Sequence, residues 1–186
     1  MTFFSMSDRM TTSHANYNVM TRGFLKYYSG DTSIASSIFS KSYEEFNRHG
    51  VFEEGSDCPL FSALGLAQIH FARKNYQQSL EFYKRALEMR RTMPVKARLG
   101  MAYCFYFLNK FELAKSCFRR ILTMDPKCVE AYLGLAVIAD KSNNSEYYFK
   151  YLQVAYKLNP NHPVVLLHLA EHFLFRKDIA QVKELC

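Results

Sequence analysis

The sequence predicts an all-α fold, a right-handed α-solenoid of antiparallel helix pairs. Pro126 and Pro160 are 34 residues apart, and each ends a stretch whose apolar residues recur at helical spacing. Small residues recur at fixed positions within these stretches, where they allow two antiparallel helices to pack closely. A helix–turn–helix unit of this length is typical of the tetratricopeptide repeat (TPR). One such unit cannot bury its apolar face alone, so several units stack.

The register of this repeat places each predicted helix. With the terminal proline at position 32, units start at Leu60, Val95, Val129 and Pro163, and a weaker unit precedes them with Gly23 at position 8. Positions 8 and 20 hold small residues in most units, and aromatic residues recur at positions 11, 17 and 24. The predicted helices cover residues 17–29, 32–48, 59–73, 76–91, 95–108, 111–124, 127–140, 144–158, 162–175 and 178–186.

Turn residues separate the two helices of each predicted pair, and one pair departs from the pattern. Tyr148 occupies position 20, where the other units have a small residue. We therefore expect the helices of that pair to lie farther apart, or their turn to be reshaped. The predicted turns are at Gly30-Asp31, Lys74-Asn75, Asn109-Lys110 and Asn143-Asn144.

The chain is predicted to have three parts. Residues 1–15 are rich in Ser, Thr and Met with little periodicity, which predicts a disordered tail. Residues 16–59 are predicted to form a degenerate N-terminal helical repeat, with a plain helical hairpin as the open alternative, followed by the longest loop, residues 49–59. Residues 60–186 form the TPRs, and the last of these is expected to be truncated within its second helix.

Composition excludes several classes of protein. No apolar run approaches the ~18 residues of a membrane span, and no secretory signal is present, so we expect an intracellular protein without a membrane partner. The five cysteines are odd in number and lack C-x-x-C spacing, which argues against a disulfide framework or a zinc site. We expect no cofactor and no small-molecule substrate.

The net charge of +7 leaves two interpretations open. Basic residues cluster between Arg90 and Arg98 and at Arg119-Arg120. Solvated outer helix faces and helix C-termini account for such residues without any ligand. A nucleic-acid or acidic-partner surface is the alternative, and nucleic acid is kept as a weak candidate partner.

One motif resembles a catalytic site. His168, Glu171 and His172 match the H-x-x-E-H pattern of zinc proteases, in which both histidines bind the metal. Leu169 and Ala170 within it are in register with repeat positions 7 and 8, and only fourteen residues follow to supply a third ligand. We therefore predict packing residues here and no enzyme.

The partner-binding surface is predicted from repeat geometry. Positions 2, 5, 9, 12 and 13 of each first helix face the concave groove, and in the last unit they include Val164, Leu167, Leu174 and Phe175. A groove this rich in aromatic and aliphatic residues indicates an apolar partner segment, although several of these side chains can instead pack against the neighbouring helix. The predicted groove residues are Phe61, Leu64, Gln68, Phe71, Leu99, Tyr103, Tyr106, Phe107, Leu133, Val137 and Asp140.

Three stretches resemble a known family beyond the general repeat pattern. These are R-L-G-M-A-Y-C at 98–104, L-N-K-F-E-L-A at 108–114 and H-L-A-E-H-F-L-F-R-K-D at 168–178. They are similar to the tetratricopeptide scaffold subunit of the RNA polymerase II-associated factor (PAF) complex. The resemblance covers residues 60–186, and weakly the first 59.

This resemblance implies a function. The family is nuclear, holds the complex together, contacts the transcribing polymerase and supports histone modification coupled to elongation. It implies other PAF subunits as direct partners and RNA polymerase II as an indirect one. The prediction is a non-enzymatic nuclear scaffold of transcription elongation. Two alternatives stay open: an RNA-associated helical-repeat factor, and a general TPR adaptor outside transcription.

Overall fold

The computed structural model describes residues 18–49, 58–90 and 95–185, and within these ranges the regular structure is helical. The predicted tail at 1–15 and most of the predicted long loop lie outside the described residues. The predicted all-α fold of helix pairs is confirmed, and the predicted helix limits agree within about two residues. The helices are α1 (18–28), α2 (Thr32–His49), α3 (Cys58–Ala72), α4 (Tyr76–Met89), α5 (Val95–Phe107), α6 (Phe111–Met124), α7 (Val129–Lys141), α8 (Ser145–Leu158), α9 (Pro163–Phe175) and α10 (Ile179–Leu185).

Local sequence explains where the helices begin and end. The Asn144 side chain accepts a hydrogen bond from the Tyr147 N–H at 3.3 Å and caps the start of α8. Pro163 begins α9, where its missing N–H costs nothing. Asp125 and Asn159 directly follow α6 and α8, and their extended backbone precedes the two prolines.

The turn within each helix pair contains a residue in the left-handed conformation. Lys74, Asn109, Asn143 and Lys177 all occupy repeat position 15 and have φ between 52° and 63°. The turn that precedes Tyr148 thus has the same geometry as the others. Of the two alternatives expected at Tyr148, the turn is not reshaped, and the larger separation of the two helices stays a prediction. The Tyr148 hydroxyl donates to the His168 carbonyl on α9 at 3.3 Å.

The chain divides into two compact units, Met1–Cys104 and Phe105–Cys186. The core of the first unit includes Phe39, which is fully buried and packs edge-on against Phe24 with ring centroids 5.0 Å apart. Two buried serines satisfy their hydroxyls internally: Ser62 donates to the Cys58 carbonyl and Ser79 to the Ala67 carbonyl, each at 2.8 Å. These bonds remove the cost of burying a hydroxyl.

The second unit has its own core, formed by α7, α8 and α9. Leu152 and Val165 are fully buried there, together with Leu133 and Leu169. No helix in the described part of the chain combines the length and apolar character that crossing a bilayer requires.

Candidate protein-interaction surface

In the first unit, the predicted groove residues lie at the edge of the core. Phe61 and Leu64 are half-buried and pack against that core. Gln68 and Phe71 are also half-buried, and the Phe71 ring meets Tyr76 edge-on at 5.4 Å. Phe61, Leu64 and Phe71 therefore offer partial apolar area to a partner, and Gln68 adds a polar amide.

The remaining predicted residues of the first unit lie on α5. Tyr103 is half-buried, whereas Leu99 is only 8% exposed. Leu99 therefore offers little area to a partner. The alternative that some groove positions pack internally describes this residue better than a role in binding.

In the second unit, three predicted residues form a small group. The Tyr106 ring is half-buried and meets Phe107 edge-on at 5.3 Å. Phe107 is 45% exposed, and Asp140 on α7 is exposed. Burial raises the pKa of Tyr106, and the Asp140 carboxylate adds to that rise, which places its negative charge close to the phenol. The group thus combines an open aromatic ring, a phenol and a carboxylate.

The other two predicted residues of α7 differ in burial. Leu133 is 5% exposed and belongs to the core of the second unit, so its apolar area is already covered. Val137, one turn farther along, is half-buried. At position 5 of the repeat, Leu99 and Leu133 are therefore packing residues, whereas Leu167 at the same position of the last unit is exposed.

The most open apolar side chains at the expected groove positions lie on α9. Val164 and Leu167 are 44% and 58% exposed, and Leu174 and Phe175 are 57% and 91% exposed. Their spacing places them along one side of the helix. The repeat register identifies the same residues, so this surface follows directly from sequence.

The histidines of the H-x-x-E-H motif are engaged in packing. His172 stacks on Phe149 with ring centroids 4.7 Å apart. Burial is the main cause that lowers the pKa of His172, and the positive charge of Arg176 is the smaller one. His168 Nδ1 lies 3.3 Å from the Tyr148 hydroxyl and 3.4 Å from Glu171. Over the described residues, no three His, Cys, Asp or Glu side chains are grouped so that they could hold a metal ion.

Comparison with known proteins agrees with the repeat register. Family models of the tetratricopeptide repeat match residues 62–93 and residues 99–163. A solved tetratricopeptide repeat protein from Parabacteroides merdae superposes with a TM-score of 0.69 at 14% identity, covering 92% of this chain and 64% of that one. This likeness concerns the fold.

Two curated relatives are similar in sequence. Protein CTR9 homolog from Arabidopsis thaliana is 34% identical over 125 residues, which is 66% of this chain and 12% of that protein. RNA polymerase-associated protein CTR9 from Caenorhabditis elegans is 30% identical over 119 residues, 62% of this chain and 10% of that protein. The chain therefore spans about a tenth of the length of these relatives. The family matches and the observed helix pairs together establish that this chain is built from tetratricopeptide repeats.

Proposed function

We propose that this chain is a non-enzymatic, protein-binding scaffold of a nuclear RNA polymerase II-associated elongation complex, the PAF complex. The observation that carries the proposal is the similarity to CTR9 proteins, at 30–34% identity over more than 60% of the chain. The matched region is a small part of those relatives, so we do not infer their whole activity for this chain. We infer only that this chain acts as a repeat segment that holds other subunits.

The side chains of the first helices support a protein partner. Phe107, Leu167 and Phe175 each expose at least 45% of their surface, although they are large and apolar. Leu167 and Phe175 belong with Val164 and Leu174 to a group of exposed apolar side chains on one side of α9. Such groups are typical of surfaces that another protein covers. We infer that they contact an apolar segment of a neighbouring subunit, in the way that helical grooves bind amphipathic chains.

The test is crosslinking mass spectrometry on the tagged full chain purified from nuclei. We expect crosslinks between residues near Phe107 or Leu167 and other subunits of the elongation complex. Phe107→Ser and Leu167→Ser should each reduce those crosslinks. Leu113→Ser is the matched control, since Leu113 on α6 is 51% exposed but lies on a second helix. Recovery of cytosolic chaperones alone would contradict the proposal.

The RNA-associated alternative rests on the net charge of +7. Basic helical repeats bind single strands mainly through phosphates, so affinity would fall steeply with salt. A titration with single-stranded RNA separates the two functions. Steep salt-dependent binding supports the RNA-associated factor, and the absence of binding at about 50 mM salt removes it. A general adaptor outside transcription would give crosslinks to unrelated cytoplasmic proteins.

A further inference from the structure

A cavity in the second unit is lined by none of the predicted groove residues. It is bounded by α6 and α8, lies over the C-terminal half of α7, and has a volume of about 270 Å³. One wall carries Lys115 and Arg119, and the opposite wall carries Tyr147 and Tyr151. Each pair is four residues apart on its helix, so both members face the cavity from one side of that helix.

The floor of this cavity is apolar. Leu135 and Ile138 on α7 line it and are 3% and 4% exposed. The Ser142 hydroxyl is occupied, because it donates to the Ile138 carbonyl at 3.0 Å. The Asn144 carbonyl oxygen is likewise occupied by the cap of α8. The walls therefore present mainly two cations and two phenol groups above an aliphatic floor.

The charged side chains that line the cavity, Lys115 and Arg119, are both basic. None of the side chains that line it is acidic. The ion pairs found among the described residues do not include Lys115 or Arg119. A third cation is near, since Lys150 Nζ lies 6.0 Å from the centre of the Tyr147 ring. Like charges four residues apart on a helix repel each other, so an anion between Lys115 and Arg119 would relieve that repulsion.

We propose that this cavity binds an acidic segment of a partner protein, with an Asp or Glu carboxylate paired with Arg119 and Lys115 and an adjacent apolar side chain against the rings of Tyr147, which is 49% exposed, and Tyr151. The volume lies just below the roughly 300–1,000 Å³ of sites that hold drug-sized ligands, which suits a single side chain. The Arg119 guanidinium can bind a carboxylate through two parallel hydrogen bonds. This site shares no lining residue with the predicted groove and does not depend on the proposed complex.

The shape of the cavity favours a peptide over single-stranded RNA. The Tyr147 and Tyr151 rings are 6.2 Å apart and inclined by 36°, so they do not form a flat platform for successive bases. Lys150 lies over the Tyr147 ring. The aliphatic floor has no groups that could hydrogen-bond to base edges. RNA binding at this site is therefore the competing outcome of the test.

Fluorescence anisotropy on the purified full chain tests the proposal. The probe is a labelled peptide, Gly-Asp-Glu-Leu-Asp-Glu-Gly, at about 0.1 M salt, where the Debye length is about 10 Å. The control peptide replaces each Asp by Asn and each Glu by Gln. We expect the acidic peptide to bind at least about tenfold more tightly than the amide peptide, because the charged hydrogen bonds are lost in the latter.

Two variants with the same charge change locate the binding. Arg119→Gln should weaken binding of the acidic peptide about tenfold, whereas Arg120→Gln should change it less than about twofold. Arg120 is the exposed neighbour on α6 and does not line the cavity. Equal losses in both variants, no binding of the acidic peptide, or tighter binding of a uridine 12-mer that Arg119→Gln weakens would each overturn the proposal. Neither peptide measurement depends on recovery of the elongation complex from nuclei.

Discussion

At the scale of single residues, one pairing recurs between successive repeats. The aromatic residue at position 24 lies directly against the glycine at position 6 of the following repeat, as in Phe39 with Gly65 and Phe118 with Gly134. A Cβ on Gly65 would lie 2.6 Å from the Phe39 ring, so there is no room for a side chain. Between the last two repeats, position 24 holds Leu152, which is smaller than an aromatic residue, and position 6 holds His168, which is larger than glycine.

The first prediction tests this exchange of volume. Gly134→Ala should destabilise the chain by about 1–3 kcal/mol, because its methyl group would overlap the buried Phe118 ring. Phe118→Leu alone should also destabilise, through a cavity. The double variant should be less destabilised than the sum, with a coupling of about 1 kcal/mol or more in urea unfolding. Additive losses would show that the two positions do not share space.

A second prediction concerns pH and two stacked histidines. His172 stacks on Phe149, and the rings of Tyr148 and Phe173 and the charge of Arg176 also face it. His70 stacks on Phe82, with ring centroids 5.4 Å apart. Burial lowers the pKa of both imidazoles, with Arg176 and Arg73 as the smaller causes. The unfolded chain, with a histidine pKa of about 6.5, therefore binds more protons below that pH than the folded chain does. The contribution of these two histidines to the free energy of unfolding should therefore be fully present above about pH 6.5 and should be lost as the pH falls below that value.

Urea unfolding at a series of pH values checks this expectation. His70→Phe combined with His172→Phe keeps the aromatic stacking and removes both titrating groups. We expect the double variant to show a flatter dependence of the free energy of unfolding between about pH 7 and pH 5. A slope as steep as that of the parent chain would assign the pH dependence to other groups.

At the scale of helices and turns, the left-handed residue at position 15 determines a third prediction. Lys74 has φ of 63° and Asn109 has φ of 58°, and both donate their backbone N–H to a carbonyl three residues back at 2.9 Å. Lysine is strained in this conformation, whereas asparagine tolerates it. Lys74→Gly should raise the free energy of unfolding by about 0.5–1 kcal/mol, and Asn109→Gly should change it by only a few tenths. An equal gain from both would show that side-chain strain is not the cause.

Tyr148 shows how an element departs from the repeat without disturbing its turn. Its side chain is 8% exposed, and its hydroxyl contacts both the carbonyl and Nδ1 of His168. Burial raises the pKa of Tyr148 to about 12, and Asp140 and Glu171 add to the rise. A bulky residue at position 20 thus ties α8 to α9.

At the scale of the whole molecule, each unit has a core of its own, which leads to a fourth prediction. Phe39 in the first unit and Leu152 in the second are both fully buried. Phe39→Ala should cost about 3–5 kcal/mol and Leu152→Ala about 2–5 kcal/mol. Because repeat arrays are stabilised mainly by neighbouring elements, each substitution should first lower amide protection in its own unit. Hydrogen exchange followed by mass spectrometry measures this, and equal loss of protection in both units would indicate a single cooperative fold.

The sequence by itself determined the helix limits, the turns and which positions of the first helices are candidates for the groove. Helix formation and the left-handed turn at Asn109 or Asn143 depend on hydrogen bonds between residues three to five apart. Because these interactions are local, the residue pattern within each 34-residue unit is enough to predict them. The register also identified exposed residues such as Phe107 and Leu167.

Only the tertiary structure decided which of those positions are open and what lies between helices. Leu133 has the same repeat position as the exposed Leu167, yet it is buried in the core that α7, α8 and α9 form. The cavity between Lys115 and Tyr151 joins residues of α6 and α8 that are far apart in sequence. Burial and cavities depend on which helices pack against one another. The periodicity within a single helix pair does not specify those contacts.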